Sequence, residues 1–393
     1  MSSFSSLSQQ LTKTIDKAVK KEQGIFFTPP NTVKKMIELL PETPKQILEP
    51  SCGSCEFITE LSQRFTKAQI TGIEFNSTIY ESIQKQDFPN TTLINEDFLK
   101  YNTSTKYDLI IGNPPYFVMK KSEIDKEYYP YFEGRPNIFT LFIVKSLKML
   151  SPGGILSFVL PKSFMNCLYY NKTREYIATK FKILNILICD DDYLETKQET
   201  VIVMLQNIDG ENLRFSHQIN QSIIFGTDET IQELIHLYSG ATFLNKLGFD
   251  VNVGNVVWNQ CKDILTDDAS KTRLIYSSDI KNNELVYQTY TNHEKKNYIH
   301  KTGMIRPILV LNRGYGVGTY KFEYCLIQTD KEYLIENHLI CINQKVERDD
   351  LLEMYQKIIV SFQNPLTSRF IELYFGNNAV NTTELCTLFP IYI

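Results

Sequence analysis

Tyr107-Asp108-Leu109-Ile110-Ile111-Gly112-Asn113-Pro114-Pro115-Tyr116 is the stretch on which the reading of this chain turns. Its first six residues form a short apolar run that reads as a buried strand. The prolines stop it: two in succession remove two backbone N–H donors and fix two φ angles. Their carbonyls are free of any helix or sheet ladder and can face a ligand. Asn113 adds a side-chain oxygen acceptor, and Tyr116 adds a flat aromatic face. Two acceptors beside a stacking ring suit a planar group that carries an NH2. A plain strand-to-loop stop with a surface tyrosine would use the same residues, so the neighbours decide.

Working towards the N-terminus, strands alternate with helices. Gln46–Pro50 reads as a strand, Ser51-Cys52-Gly53-Ser54-Cys55 as a small-residue turn and Glu56–Phe65 as a helix. Ala68–Phe75 is a second strand, Ser77–Lys85 a helix, and Thr91–Asn95 a third strand followed by Glu96-Asp97-Phe98. This alternation argues a doubly wound α/β fold, which binds ligands at the carboxyl ends of its parallel strands. Glu49, Glu74 and Asp97 all stand at such ends. Glu74, closing the second strand, is placed to take the two ribose hydroxyls of a nucleoside. Gly53 is the only glycine of the first turn, so the backbone approaches a ligand at one point and no diphosphate cradle is evident. Glu49 could meet a cationic group on the same ligand. Asp97 can accept from an adenine amino group, with Phe98 beside the ring. Acids at strand ends also serve as helix caps.

Further upstream, Leu11–Lys21 looks like a surface helix. Gly24-Ile25-Phe26-Phe27-Thr28-Pro29-Pro30 is a proline-bounded loop, and Asn31 or Thr32 can cap a helix running to Leu40. Towards the C-terminus, residues 117–134 read as a long polar loop and Asn137–Leu150 as a helix. Ser151-Pro152-Gly153-Gly154 reads as a stop and turn, Ile155–Leu160 as a fifth strand and Ser163–Lys180 as largely helical. Ile183–Cys189 is a sixth strand. Val201–Leu205 follows too closely for a crossover helix and is therefore expected antiparallel to it. Seven strands complete one domain near residue 210.

The chain has 393 residues, enough for two domains, with ordinary globular composition. No apolar run approaches the ~20 residues that cross a bilayer, and no signal-peptide pattern opens the chain. A soluble, cytoplasmic protein without a membrane partner is expected. Eight cysteines in this length suit a reducing compartment rather than a disulfide framework. Cys52 and Cys55 form a CxxC, but no second CxxC or HxxxH completes a metal set. They read as small turn residues, with no metal site. Net charge is −4, and neither half is basic, so a nucleic-acid partner would need a local basic groove.

These residues together resemble a family: the S-adenosylmethionine-dependent DNA adenine-N6 methyltransferases whose motifs run in this, the gamma, order with the target-recognition domain last. The resemblance rests on Phe26-Phe27-Thr28-Pro29, Leu48-Glu49-Pro50-Ser51-Cys52-Gly53, Gly72-Ile73-Glu74, Glu96-Asp97-Phe98-Leu99, Asn113-Pro114-Pro115-Tyr116 and Leu150-Ser151-Pro152-Gly153-Gly154. It covers about the first 210 residues. It implies a Rossmann-like seven-stranded methyltransferase sheet with an antiparallel last strand over residues 1–210. A C-terminal mixed α/β target-recognition domain would occupy 211–393. It further implies that Thr28 and Pro29 close over the methionine part of the cofactor, and that Glu49, Ser51 and Gly53 hold that end. Glu74 would take the ribose, Asp97 and Phe98 the adenine, and Asn113 would stand beside the cofactor. Asn113, Pro114, Pro115 and Tyr116 would receive an adenine flipped out of double-stranded DNA, with S-adenosylhomocysteine as the product. A monomer acting on DNA, paired with a cognate restriction endonuclease, fits the resemblance. One departure is that the family often has an aromatic near the end of the seventh strand, where this chain has Leu205.

In residues 211–393, Gly240–Val257 looks strand-rich, and the segment from His293 to Lys301 is the best basic cluster. Lys295, Lys296, Lys301, Arg313, Asn377 and Asn378 are the candidate DNA contacts. Methylation of RNA or of a protein glutamine, or a catalytically dead nucleic-acid-binding subunit, are the competing readings. A protein-glutamine enzyme would normally end soon after the last strand. Against the dead subunit, every cofactor acid and the whole tetrapeptide are present.

Overall fold

The computed structural model describes residues 4–40, 43–189, 191, 193–196, 198–290, 294–313, 321–376 and 380–393. The chain divides into two compact units, one ending at Gln232 and one beginning at Glu233.

In the first unit, the expected N-terminal helix is two: α1 (Ser6–Thr14) and α2 (Lys17–Gln23). Asp16 divides them, its carboxylate accepting the Ala18 N–H at 2.6 Å as the cap of α2. The next helix, α3 (Pro30–Glu38), starts on Pro30 with no side-chain cap. Asn31 and Thr32 do not cap it, contrary to expectation. Both side chains instead donate to the Asp191 carboxylate, at 3.3 and 2.7 Å.

The alternation then follows as expected: β1 (Gln46–Glu49), α4 (Glu56–Arg64), β2 (Gln69–Glu74), α5 (Ser77–Ile83), β3 (Thr91–Asn95) and β4 (Tyr107–Gly112). After the long loop, which contains two 3-10 turns, come α6 (Ile138–Met149) and β5 (Leu150–Pro161). Then follow α7 (Asn171–Lys180), β6 (Lys182–Cys189) and β7 (Thr200–Gln206). Two boundaries differ from expectation. Ser151–Gly154 is an irregular start to β5, whose register shifts between Tyr107 and Leu109, rather than a separate turn. Of the stretch 163–180, only α7 is α-helix; two 3-10 turns precede it.

Among the described residues, these seven strands form one sheet in the order β3-β2-β1-β4-β5-β7-β6. β1 to β5 run parallel, while β7 is antiparallel to both β5 and β6. This is the Rossmann-like methyltransferase sheet that the sequence led us to expect. Successive strand residues face opposite sides. Ile110, Leu156, Phe158, Val203 and Leu205 pack in the cluster that holds α6 and α7. Leu109, Ile111, Ile155, Ile202 and Met204 pack in the cluster that holds α3 and α4. Both faces are therefore covered, which is why β4 and β7 read as continuous apolar runs.

The division between units falls beyond residue 210 because the following hairpin stays with the first unit. Its strands, β8 (Ser216–Ile219) and β9 (Ser222–Phe225), lead away from Asn212. The Asn212 amide accepts the Ile183 N–H at 2.7 Å and donates to the Phe181 carbonyl at 2.8 Å. The fully buried Arg174 guanidinium donates to the carbonyls of Ile223, Phe164 and Cys167. Those bonds meet the charge in a site with little water.

The second unit is mixed α/β. One four-stranded sheet of its described residues runs Phe249–Val253, Leu339–Gln344, Ile308–Asn312, Tyr324–Ile327. Another runs Leu265–Thr266, Tyr298–Ile299, Thr272–Ile275, Tyr333–Ile335. Helices span Leu351–Phe362, Pro365–Phe370 and Thr382–Thr387. Among the described residues no helix is long and apolar enough to cross a membrane.

Candidate active site

Parallel register brings the carboxyl ends of β1, β2 and β4 to one edge of the sheet, with Glu49 level with Gly72 and Glu74 level with Asn95. A cavity of about 260 Å3 opens there. Ser51, Gly53, Glu74, Asp97, Phe98, Asn113 and Pro115 border it, as do Phe26 and Phe27 from the N-terminal loop. Thr28, Pro29, Glu49, Pro114 and Tyr116 lie outside its lining. Of these, Thr28, Pro29, Glu49 and Pro114 are buried, and Tyr116 is half-buried.

Glu74 is fixed by two backbone donors. One oxygen accepts the Gly53 N–H at 2.9 Å and the other the Asn76 N–H at 2.7 Å. Burial nonetheless pushes its carboxyl up to about 7. Glu49 is 2% exposed, and one of its oxygens has no hydrogen-bond partner. Burial, then the charges of Glu56 and Glu74, raise its pKa well above the carboxylate range. A lone acceptor in so dry a place favours a cationic neighbour. Asp97 holds the Leu99 N–H at 2.9 Å, and the Phe98 ring packs on Phe142 with centroids 4.8 Å apart.

Cys52 and Cys55 are buried free thiols in the apolar cluster of α4. The hydrogen bond with the adjoining Cys55, then burial, raises the Cys52 pKa, so the Cys52 thiol stays protonated. Cys55 itself takes a left-handed backbone, φ 66°, as the residue before α4.

The turns after β1 and β4 are joined, since the Ser51 hydroxyl donates to the Asn113 carbonyl at 3.1 Å. The Asn113 carboxamide is held from two sides. Its Nδ2 donates to the Phe26 carbonyl at 3.4 Å, and its Oδ1 accepts the Tyr116 hydroxyl at 2.6 Å. The Tyr116 hydroxyl also reaches the Val159 carbonyl at 2.8 Å, and its ring meets Phe139 edge-on at 5.8 Å. Burial, then Tyr193 and Cys189, keep the Tyr116 phenol protonated far above the usual range. Sequence reasoning assigned Tyr116 a stacking face; its hydroxyl has a second task, turning the Asn113 oxygen in a fixed direction. One lone pair of that oxygen remains for another donor. Tyr116→Phe keeps the ring and loses this bond. The rate of the chemistry at this site is expected to fall about tenfold, the worth of one such hydrogen bond, with ligand affinity at the cavity unchanged.

Gly24 was quoted as part of a loop without a role. It ends α2 in the left-handed region, φ 64°, and borders the cavity. A Cβ there would lie 2.5 Å from the Tyr116 backbone nitrogen. Gly24→Ala must therefore move either loop. We expect it to cost about 1–3 kcal/mol in thermal unfolding, with methyl transfer falling alongside.

Leu205, at the expected aromatic position, is 2% exposed within β7 and packs in the core cluster that holds α6 and α7. Tyr193, between β6 and β7, is a second aromatic whose hydroxyl is felt electrostatically by Tyr116, and sequence reasoning missed it because no motif surrounds it. In the second unit, Lys295 lies over the rings of Tyr276 and Tyr290 at 4.1 and 4.0 Å, and Lys296 pairs with Asp267. Lys301 and Arg313 are exposed. Asn377, Asn378 and His293 lie outside the described residues.

Residues 54–194 match the Eco57I restriction-modification methylase family. Two similar proteins align with nearly the whole chain. Modification methylase CviBIII of Paramecium bursaria Chlorella virus NC1A is 28% identical, covering 99% of this chain and 99% of its own. Type II methyltransferase M.CvrRI of Paramecium bursaria Chlorella virus XZ-6E is 26% identical, covering 95% of each. A shorter similarity, 27% over 31% of this chain and 53% of the relative, joins it to the tRNA1(Val) (adenine(37)-N6)-methyltransferase of Glaesserella parasuis serovar 5.

Proposed function

We propose that this chain is a DNA methyltransferase that moves a methyl group from S-adenosylmethionine to N6 of an adenine flipped out of double-stranded DNA. The observation that carries the reading is one cavity bordered by both Glu74 and Asn113. Nucleoside-binding acids and a fixed amide acceptor thus share one space. The residues present fit the donor: Glu49 has an unpartnered buried oxygen suited to its ammonium, and Glu74 retains lone pairs for ribose hydroxyls. Bound there, S-adenosylmethionine supplies a methyl carbon already activated by its sulfonium.

The chain's own contribution is positioning and electrostatics. An adenine in a duplex hides its amine, so it must leave the stack. The Asn113 oxygen and the Pro114 carbonyl accept the two N6 hydrogens, drawing the nitrogen lone pair out of the ring's conjugation. Tyr116 is the ring assigned to the base. As the N–C bond forms, the S–C bond breaks, leaving S-adenosylhomocysteine, and the surplus N6 proton passes to solvent. Ionised by the time of transfer, Glu49 and Glu74 hold the donor rather than act as bases.

The second unit is assigned target recognition. The two viral relatives align across nearly the whole chain, both units included, which supports DNA over RNA as acceptor. Similarity to restriction-modification methylases supports a role in marking DNA against a cognate nuclease. Incubation with tritium-labelled donor and genomic DNA, RNA or total protein tests this. Label is expected in DNA, at N6-methyladenine within a fixed sequence. Label confined to RNA or protein overturns the acceptor.

A further inference from the structure

A chain of net charge −4 needs a local concentration of cations to hold a polyanion, and no stretch of sequence provides a strong one. The fold of the second unit does. Strand Thr272–Ile275 runs antiparallel to Tyr298–Ile299, with Thr272 level with Ile299, and parallel to Tyr333–Ile335, with Arg273 level with Tyr333. One residue beyond the first pair this register sets Lys271 level with His300, and two residues before the second it sets Lys271 level with Lys331. Lys301 follows immediately. Residues some thirty positions apart thus converge on one end of one sheet, around an open recess of about 810 Å3.

Lys271, Lys301 and Lys331 are exposed. Among the described residues none of the three forms an ion pair, whereas Lys262, Lys296, Lys345 and Lys357 of the same unit each have a carboxylate partner. Asp330 is exposed beside Lys331, and two further acids stand near. Glu332 lines the recess, but one of its oxygens accepts both the Gly303 N–H at 2.9 Å and the Thr272 hydroxyl at 3.1 Å. Asp268 accepts the Ser270 N–H at 2.9 Å. That hydrogen bond, then the Ser270 hydroxyl, with Lys271 and His300 adding, hold the Asp268 carboxyl below its usual range. Both acids are engaged with neighbouring donors, while the three ammoniums keep theirs for solvent or a ligand. Ser270 and Thr302 add hydroxyls to the same rim.

We propose that this recess is a contact for the backbone phosphates of duplex DNA, formed by Lys271, Lys301 and Lys331. It rests on DNA being the acceptor. Such contacts position the duplex and carry no sequence information.

The test uses the full chain with Lys271→Gln, Lys301→Gln and Lys331→Gln combined, and a labelled duplex of mixed sequence. Binding is followed by anisotropy across a salt series. Affinity at low salt is expected to fall at least about tenfold, and the slope of log affinity against log salt to become shallower by about one per lysine removed. Donor affinity and thermal midpoint should stay as in the parent. The triple Arg variant should bind as the parent does. Unchanged affinity and slope overturn the proposal, as does a loss of affinity that the Arg variant shares. A failure of the DNA reading itself shows differently, as no transfer to DNA by the parent protein.

Discussion

Asn113→Ala should reduce single-turnover methyl transfer by about a hundred- to a thousandfold, the scale found when one preorganised polar partner of a reacting group is removed. The variant loses the oxygen that the Tyr116 hydroxyl orients and that faces the amine in the proposed reaction. It keeps the backbone carbonyl that the Ser51 hydroxyl holds, so the turn after β1 stays anchored. Glu74 and its two backbone donors are untouched. Donor affinity, read by calorimetry, should therefore remain within about threefold, since no direct donor hydrogen bond is removed. Rapid quench with tritium-labelled donor gives the rate. A rate within tenfold of the parent would remove Asn113 from the reaction.

The second large effect concerns Glu74 and pH. Burial holds its carboxyl at about 7, against 4.5 in an unfolded chain. A raised carboxyl means that the folded protein binds a proton the unfolded chain has lost. Ligand-free stability should accordingly decline as pH rises from about 4.5 to about 7, by up to about 3 kcal/mol, and level off above. Glu49 and Glu56, also raised by burial, act in the same direction. Ribose hydroxyls donating to Glu74 favour its ionised form. Donor binding should then expel a proton below pH 7, and affinity should strengthen by up to about tenfold per unit from pH 6 towards 7. Glu74→Gln should flatten its share of that dependence. Glu74→Ala should weaken the donor about a hundredfold, as two hydrogen bonds to a charged group disappear. Calorimetry in two buffers of different ionisation enthalpy measures the proton directly. Affinity constant from pH 6 to 8 would exclude Glu74 from the donor site.

Much of the first unit could be read in advance because its signals are local. Prolines 114 and 115 end β4 abruptly, and the acids of β1 and β2 converge because parallel strands share one carboxyl edge. What escaped depends on distant pairing. That β7 lies between β5 and β6 is a matter of sheet order, and it explains Leu205. β7 runs against β5, so Thr200 is level with Pro161 at the carboxyl edge while Leu205 is level with Leu156, further back in the sheet. Lys295 reads as a surface cation in sequence, yet two rings from separate segments enclose it. The convergence of Lys271, Lys301 and Lys331 needs two strand registers to become visible. Asp16 divided a helix because a carboxylate finds a backbone donor two residues on, a short-range effect that periodicity does not register.

The fit of Gly24 against Tyr116 also bears on how such a protein can diverge. Residues 24–26 border the cavity beside Glu74 and meet the chain at Asn113 and Tyr116, so a larger side chain at 24 is admissible only where the chain around 116 has retreated. Drift at these two places is therefore coupled. A lineage that acquires a new acceptor by reshaping the loop inherits an altered donor wall, and its two specificities change hands as one.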